Sequence, residues 1–330
     1  MTSPRVSVVM PVFNVAPYLA EAVQSVLDQT FTDFELVIVD DGGTDNSIAI
    51  CQTFDDPRIR IVHQQNRGLA GARNTGIAQG RGDLIALLDS DDRWRPEKLM
   101  LHVIHLDADA SVGVSYSGSR FIDADGHVLK QAQRPQLEAV TPHHVLCRNP
   151  VGNGSAAVIR RAALDQIVHA DAKEPGRPRY FDESFRQSED IELWIRMSLT
   201  GGYRFDGIAP LLTDYRIVGG GLSANIARQF ESWERVIDKV RSYAPGFVAQ
   251  HGAAARAYQL RYLARRSVQL GDGAFALSLI GEALSASRQP LWQEPRKTLT
   301  TLAAALVTRM CSPGLSRWVA RRWSGGKIMA

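Results

Sequence analysis

Three carboxylates stand within four positions in the segment Asp89-Ser90-Asp91-Asp92, which follows the apolar run at residues 84–88. Carboxylates are hard oxygen ligands that suit Mg²⁺ and Mn²⁺, and Mg²⁺ typically keeps one or two of them while phosphates and water supply the rest. Without a cation or hydrogen bonds, three neighbouring acids would repel one another. The segment therefore predicts a divalent-metal site, with a solvated turn that caps the next helix as the alternative.

A second acidic cluster, Asp40-Asp41-Gly42-Gly43-Thr44-Asp45, follows another apolar run at residues 34–39. A carboxylate in this place can accept hydrogen bonds from a nucleotide base or a ribose, and the two glycines permit a close approach of the backbone to a ligand. The cluster therefore predicts a nucleoside pocket. The alternative is a plain turn between strand and helix that supplies the helix with an N-cap.

A third cluster, Ser188-Glu189-Asp190, begins a helical pattern that continues through Leu193 and Trp194. At the start of a helix the macrodipole favours an ionised acid. A carboxylate in a cleft can also act as a general base toward a hydroxyl group. Asp190 is therefore a candidate base, although acids also cap helices without any catalytic role.

The elements around these clusters alternate between strands and helices. The pattern predicts strands at residues 6–12, 34–39, 59–62 and 84–88, and helices at 16–29 and 69–79. Such alternation builds βαβ units and a parallel sheet in an α/β fold, and ligands bind beyond the carboxyl ends of its strands. Asn14, Asp40 and Asp89 each stand at such an end, so we expect the polar clusters to converge on one site.

The composition changes in the last third of the chain. Residues 226–330 carry a net charge of +10 and residues 1–225 a net charge of −7. The later part is rich in Ala, Leu and Arg, and its spacing predicts helices at residues 254–270, 274–287 and 299–310. We therefore expect two domains with different partners, a catalytic domain at 1–225 and a helical, basic region at 226–330.

Several functional classes lose support from what the sequence lacks. Its three cysteines, Cys51, Cys147 and Cys311, form no CxxC pair, which argues against a disulfide framework and against a cysteine zinc site. No GxGxxG follows the first strand and no GxxxxGK[ST] is present, which argues against hydride transfer and P-loop phosphoryl transfer. No targeting signal or membrane-spanning run is predicted, so we expect a cytoplasmic protein.

The C-terminal residues 309–330 combine five basic residues and two tryptophans with no acid. Basic residues beside tryptophan suit an anionic membrane surface. We therefore expect peripheral contact with the cytoplasmic face of the membrane, where lipid-linked acceptors would be found. A frayed soluble terminus is the alternative.

Taken in order, the motifs resemble those of family 2 glycosyltransferases with the GT-A fold. The resemblance rests on residues 6–14, 25–42, 66–76 and 88–92, on Glu189-Asp190 with Leu193-Trp194 and Arg196, and on Tyr215-Arg216. It covers about two thirds of the chain. It implies a nucleotide-diphospho-sugar transferase fold with a central, mostly parallel sheet, followed by a small C-terminal α-helical region.

The resemblance also implies roles for the residues that match its motifs. Asp190 would be the base of an inverting reaction and Glu189 would position it. A divalent metal, Mn²⁺ or Mg²⁺, would be held by Asp89, Asp91 and Asp92. The nucleotide-sugar pocket would comprise Pro11, Val12, Phe13, Asn14, Asp40, Asp41, Arg73, Asp89 and Ser90.

The implied activity is inverting transfer of a sugar from a nucleotide-diphosphate donor, a UDP-sugar, to a hydroxyl of a glycan or lipid-linked acceptor. The implied setting is the synthesis of cell-surface polysaccharide, O-antigen or glycolipid, and no nucleic acid is expected as a partner. Two alternatives stay open. A nucleotidyltransferase on a similar fold would carry a glycine-rich loop where this chain has residues 11–14. A sugar-nucleotide-binding module with weakened catalysis has one supporting feature, Val218, at a position where relatives often carry a histidine near the metal.

Overall fold

The computed structural model describes residues 3–171, 174–218 and 225–310, and the chain folds into two compact units. The first comprises the described residues of Met1–Val128, Ala132–Pro142 and Pro150–Ile217, and the second those of Leu129–Gln131, His143–Asn149 and Val218–Ala330. The sequence predicted one boundary after residue 225. The structure ends the first unit at Ile217 and groups the short segment 143–149 with the helical unit.

The first unit is built on a sheet to which nine strands of the described residues contribute. Strands β1 to β6 are Val6–Val12, Phe34–Asp40, Ile59–His63, Leu84–Leu87, Arg93–Trp94 and Val112–Ile122; β7, β8 and β11 are Val128–Gln133, Ala157–Arg160 and Arg204–Arg216. Strands β9 (His169–Asp171) and β10 (Glu174–Arg179) form a separate antiparallel pair. The strand order of the large sheet is β3-β2-β1-β4-β8-β6-β11-β5, with β7 beside β6.

The helices alternate with these strands and then continue alone. Helices α1 to α6 are Ala16–Leu27, Ser47–Cys51, Gly68–Gln79, Lys98–Ala108, Pro142–Arg148 and Arg161–Asp165; α7 to α12 are Glu189–Thr200, Ile226–Tyr243, Pro245–Gln269, Gly273–Ala286, Gln289–Gln293 and Pro295–Met310. The structure thus confirms the predicted α/β architecture followed by a helical region. It begins α9 well before the predicted start at residue 254.

The first four strands form the predicted parallel part of the sheet. Strand β1 pairs in parallel with β2 and β4, and β2 pairs in parallel with β3. Beyond β4 the sheet is mixed, because β8 runs antiparallel to both β4 and β6, whereas β6 and β11 are parallel. Val12 lies opposite Asp40, and Val9 lies opposite Leu87. The polar segments that follow β1, β2 and β4 therefore leave the sheet at the same edge.

Close packing fixes this edge. Strand β1 is buried along its whole length, as expected for a strand covered on both faces. Helix α3 lies directly on it, since a Cβ on Gly76 would stand 2.2 Å from Cγ1 of Val9. On the other face of the strand, Leu19, Val23 and Val26 of α1 form one apolar core with Val8 and Met10 of β1. The contact between Gly76 and Val9 fixes the position of α3 along β1, and therefore the position of Arg73 relative to the strand ends.

The second unit is a helical bundle formed mainly by α8 to α12. Its core contains small and aliphatic residues such as Ala257, Leu260, Leu263, Ala264 and Ala305. Helix α10 packs against both α9 and α12, so these three helices bury a common interior. In the described parts of the chain no helix has both the length and the apolar character needed to cross a bilayer.

Candidate active site

The acidic segment after β4 forms a tight turn that one serine holds at both ends. The amide of Asp92 donates to the carbonyl of Asp89 at 3.0 Å. The hydroxyl of Ser155 accepts from the amide of Asp89 at 3.0 Å and donates to Oδ2 of Asp92 at 2.6 Å. Ser155 is fully buried in the short 3₁₀ turn Gly154–Ala156. It therefore couples the start of the acidic turn to its end.

Asp92, the third of the predicted metal ligands, holds the acidic turn to its surroundings. Its side chain is buried, with Oδ2 accepting from Ser155 and Oδ1 accepting from the amide of Arg216 at 2.8 Å. Burial, and then the charges of Asp91 and Asp89, raise the pKa of Asp92 well above its usual value. Both oxygens are thus engaged in holding the turn, because the chain buries this carboxylate against β11.

Asp91 presents the carboxylate that can receive a cation. Its side chain is partly exposed, and within the described parts of the chain no other residue donates a hydrogen bond to it. Burial and the charge of Asp89 raise the pKa of Asp91 to about 6, which a bound cation would lower again. Asp89 engages Oδ1 with Arg73. Asp91 and the second oxygen of Asp89 therefore fit a hard divalent cation that takes its other ligands from phosphate and water.

Another acidic group lies in the turn between β6 and β7. Among the described residues, Asp123, Asp125 and His127 form a group whose potential ligand atoms lie within 4.8 Å of one another. The carboxylate of Asp123 already accepts from the amides of Asp125 and His127, at 3.0 and 2.9 Å. These bonds are those of an exposed capped turn, and the group stands apart from Asp89 and Asp91 in the sequence.

Arg73 connects the acidic turn to the start of α7. Its side chain is 2% exposed. One guanidinium nitrogen donates to Oδ1 of Asp89 at 2.6 Å and another donates to Oε1 of Glu189 at 2.7 Å, while the group lies 5.3 Å from the ring centre of Phe181. The sequence placed Arg73 beside the nucleotide. In the structure its guanidinium is engaged by carboxylates, so it orients the acids of the site.

Asp190 has the environment of a general base. It occupies the first turn of α7, where Oδ1 accepts from the amide of Ile191 at 2.8 Å. Burial, and then the negative charge of Glu189, raise the pKa of Asp190 to about 7, while Arg73 opposes the shift. A base with a pKa near the working pH is well matched to removing a proton from a hydroxyl. Glu189 is buried and paired with Arg73.

Two structural details fix the position of helix α7, which carries Asp190 in its first turn. Ser188, which precedes the helix, adopts a left-handed backbone conformation with φ of 62°, which is uncommon for a residue other than glycine. Further along α7, the fully buried Glu192 forms an ion pair with Arg196 at 2.9 Å. Arg196 also donates to the carbonyls of Ile167 and Tyr180, so the helix is anchored to the segments around it.

The predicted nucleoside residues form a second group at the ends of β1 and β2. The side-chain oxygen of Asn14 accepts from the amide of Thr44 at 2.7 Å. Asp40 accepts from the amide of Gly42 at 3.1 Å and contacts Nδ1 of His63 at 2.9 Å. These contacts shape the loop after β2 and bring Asn14 and Asp40 to one rim of the sheet.

Several of the predicted pocket residues are buried in the structure. Asp41 is buried and accepts from the amides of Arg67 and Gly68, so it fixes the entry to α3. Pro11 and Val12 are buried inside β1 because the strand continues through Val12. Ser90 is buried as well. Phe13, by contrast, is 50% exposed.

Sequence reasoning missed two residues that hold the acidic turn. Ser155 belongs to no motif spacing, and no pattern would have marked it. Arg216 was noted only as part of a resemblance. Its buried guanidinium donates to the carbonyl of Asp91 at 2.7 Å and to Glu21 at 2.8 Å. A buried arginine is expected to have anionic groups or carbonyls beside it. The burial of Arg216 is seen only in the structure, so the sequence pattern carried no signal for these contacts.

The sequence of the chain is similar to those of known proteins. The family model described as glycosyl transferase family 2 matches residues 7–168. The putative teichuronic acid biosynthesis glycosyltransferase TuaG of Bacillus subtilis is 31% identical over 226 residues, which are 67% of this chain and 82% of that protein. Chondroitin synthase of Escherichia coli is 38% identical over 128 residues, 38% of this chain and 19% of that protein. The chain thus spans most of TuaG and only about a fifth of the chondroitin synthase.

Solved structures share the fold at low sequence identity. Residues 1–349 of Staphylococcus aureus TarS, in complex with UDP-GlcNAc, superpose with a TM-score of 0.60 at 18% identity, covering 93% of this chain and 92% of that chain. The mannosyltransferase PcManGT of Pyrobaculum calidifontis, in complex with GDP-Man and Mn²⁺, gives a TM-score of 0.57 at 20% identity, covering 96% and 88%. Together with the match to TuaG, these findings show that the chain belongs to glycosyltransferase family 2 and is a glycosyltransferase with the GT-A fold.

Proposed function

We propose that the enzyme transfers a sugar from a nucleotide-diphosphate donor, a UDP-sugar, to a hydroxyl of a glycan or lipid-linked acceptor with inversion at the anomeric carbon. The product would be a cell-surface polysaccharide or glycolipid. Support for the setting comes from the similarity to a teichuronic acid biosynthesis glycosyltransferase, and support for the donor comes from TarS, whose structure holds UDP-GlcNAc.

The observation that carries the proposal is the bridge made by Arg73. Its two ion pairs hold Asp89, at the end of β4, and Glu189, beside Asp190, on either side of one buried guanidinium. The carboxylate of Asp89 contributes to the raised pKa of Asp190. Carboxylates suited to a metal and a carboxylate suited to a base are therefore electrostatically coupled in one site.

The acids on the two sides of Arg73 would have different roles in the reaction. Asp91 and Asp89 would hold Mn²⁺ or Mg²⁺, and the bound metal would supply charge neutralisation for the departing diphosphate. Asp190 would accept the proton of the acceptor hydroxyl as its oxygen attacks the anomeric carbon, and such a base typically contributes about 10²–10⁴-fold to the rate. A single displacement of this kind inverts the anomeric configuration.

The proposal is tested with purified protein, Mn²⁺ or Mg²⁺ and a panel of nucleotide sugars, scored for release of the nucleotide diphosphate with candidate acceptors. Asp91→Asn and Asp190→Asn accompany the wild type, and Asp55→Asn, at an exposed acid outside the site, is the matched control. We expect metal-dependent release from one donor, loss of release in both site variants and full activity in the control. Release that is unaffected by either site variant would contradict the proposal.

The stereochemical part has a separate readout. Proton NMR of the first-formed glycoside distinguishes inversion from retention through the anomeric coupling. We expect the anomer opposite to that of the donor. A product with the donor's configuration would contradict a single displacement assisted by Asp190, while leaving the assignment as a glycosyltransferase intact.

A further inference from the structure

Helix α12, Pro295–Met310, buries three threonines beside Ala304 and Ala305 and leaves four large apolar residues exposed. Thr298, Thr301 and Thr308 are each at most 3% exposed. The opposite face carries Leu299, Ala303, Leu306, Val307 and Met310, which we call the α12 stripe. Its four large side chains are 53%, 45%, 44% and 84% exposed in chain order. A surface helix ordinarily shows the reverse arrangement, with its apolar face toward the core.

Hydrogen bonds and close packing fix this orientation. The hydroxyl of Thr298 donates to the carbonyl of Pro290 at 2.7 Å and accepts from Arg261 at 3.0 Å. Near the other end of the helix, a Cβ on Gly273 would stand 2.3 Å from the amide nitrogen of Arg309, so α10 lies directly against α12. The helix therefore cannot turn its apolar stripe inward without breaking these contacts.

The stripe lies in the most basic part of the chain. Residues 295–330 contain seven Lys and Arg and no Asp or Glu. Arg296, near the first turn of α12, and Arg309, near its last, are both exposed. A contiguous exposed apolar face is a common mark of an interaction site, and its surroundings here select an anionic partner. Residues 311–330 lie outside the described residues and form no part of the proposed surface, whose basic residues are the exposed Arg296 and Arg309.

We propose that the α12 stripe docks in the plane of an anionic lipid surface. The apolar side chains would enter the boundary between headgroups and acyl chains, and Arg296 and Arg309 would face the headgroup phosphates. A second copy of this chain would bring the same uncompensated positive charge to the contact, which disfavours pairing through this face. A nucleic acid would satisfy the charges but would leave the apolar stripe without a partner.

The test is flotation of the full-length protein with phosphatidylcholine vesicles, with and without phosphatidylglycerol. We expect binding that requires the anionic lipid and falls with added salt. The double variant Leu306→Gln with Met310→Gln should bind about tenfold more weakly or worse, since each of these side chains loses its burial in lipid. The matched control Ile104→Gln changes an apolar residue of α4 that is 57% exposed and should bind like the wild type.

Two further measurements keep the result decisive. The melting temperature and the metal-dependent release of nucleotide diphosphate should be unchanged in the double variant, because both residues are exposed and distant in sequence from the site. Equal flotation of wild type and double variant would overturn the proposal, as would absence of binding to anionic vesicles. Light scattering that shows a dimer in the wild type and a monomer in the double variant, without lipid binding, would also overturn it and assign the face to a second copy.

Discussion

At the scale of single residues, the environment of Asp190 makes the rate depend on pH. A base must be ionised to accept a proton, and burial raises the pKa of Asp190 to about 7. We therefore predict that kcat/KM at saturating metal falls by about tenfold per pH unit below that value and is level above it. The measurement is a pH-rate profile with the preferred donor. A flat profile from about pH 5.5 to pH 8 would remove Asp190 from this role.

The same raised pKa has a consequence for stability. Its folded value, about 7, lies above the ordinary 3.8, so folding favours the neutral form and stability is lost as the pH rises through 7. Asp190→Asn removes this penalty. In metal-free protein its melting temperature should exceed that of the wild type by an amount that grows from about pH 4 to about pH 7 and is then constant. A difference that does not change with pH would contradict the assigned environment.

Ser155 should act on the metal through the turn that it holds. Ser155→Ala leaves the amide of Asp89 and a buried oxygen of Asp92 without their partner, which costs about 1–3 kcal/mol. We predict a higher metal concentration for half-maximal activity, with kcat largely recovered at saturating metal.

The matched control for this prediction is Ser117→Ala. Ser117 is equally buried, and its hydroxyl has no hydrogen-bond partner among the described residues. It should change neither the metal dependence nor kcat. Metal titrations of activity compare the two variants. An unchanged half-maximal metal concentration in Ser155→Ala would show that the serine is not needed to position Asp89 and Asp91.

At the scale of elements, the contact between α3 and β1 can be tested with two glycines. Gly76→Ala would place a Cβ 2.2 Å from Val9, and overpacking of this kind costs about 1–3 kcal/mol. It should also lower kcat, because α3 carries Arg73. Gly281→Ala, in α10, meets nothing within 4 Å and should stabilise by about 0.5–1 kcal/mol. Thermal melts and activity are compared, and equal stability of the two variants would contradict the packing described.

The elements that the sequence predicted are those with strong local signals. Mainly apolar runs followed by polar turns were sufficient to place β1 to β4 and to bring the carboxyl ends of β1, β2 and β4 together. The antiparallel direction of β8 could not be predicted, because a strand of only four residues carries no local signal for its direction. The turn Gly154–Ala156 that precedes it carries Ser155, whose partners are more than sixty residues away in sequence, so its role depends on tertiary structure.

At the scale of the whole molecule, the charge composition predicted the division of the chain into two units, whereas the spacing of apolar residues did not predict how α12 is oriented. The change from a negative to a positive net charge indicated a second unit, and the structure groups the described residues from Val218 onward, with two short earlier segments, in a helical unit. The direction in which α12 faces could not be predicted, because its threonines and leucines are both spaced at helical intervals and hydrophobicity alone favours the opposite orientation. The partners of Thr298 in α9 and α11 decide it.

The central claim is that Asp91 acts in metal-dependent donor binding and Asp190 acts as the base in the transfer step. Donor binding tests this claim most directly. Calorimetric titration of the preferred donor, with Mn²⁺ and without it, is compared with turnover in each variant. We predict that Asp190→Asn binds the donor within about twofold of the wild type while turnover falls by about 10²–10⁴-fold, and that Asp91→Asn loses the metal-dependent part of binding. Metal-dependent binding that survives in Asp91→Asn, or binding that falls with turnover in Asp190→Asn, would contradict the account.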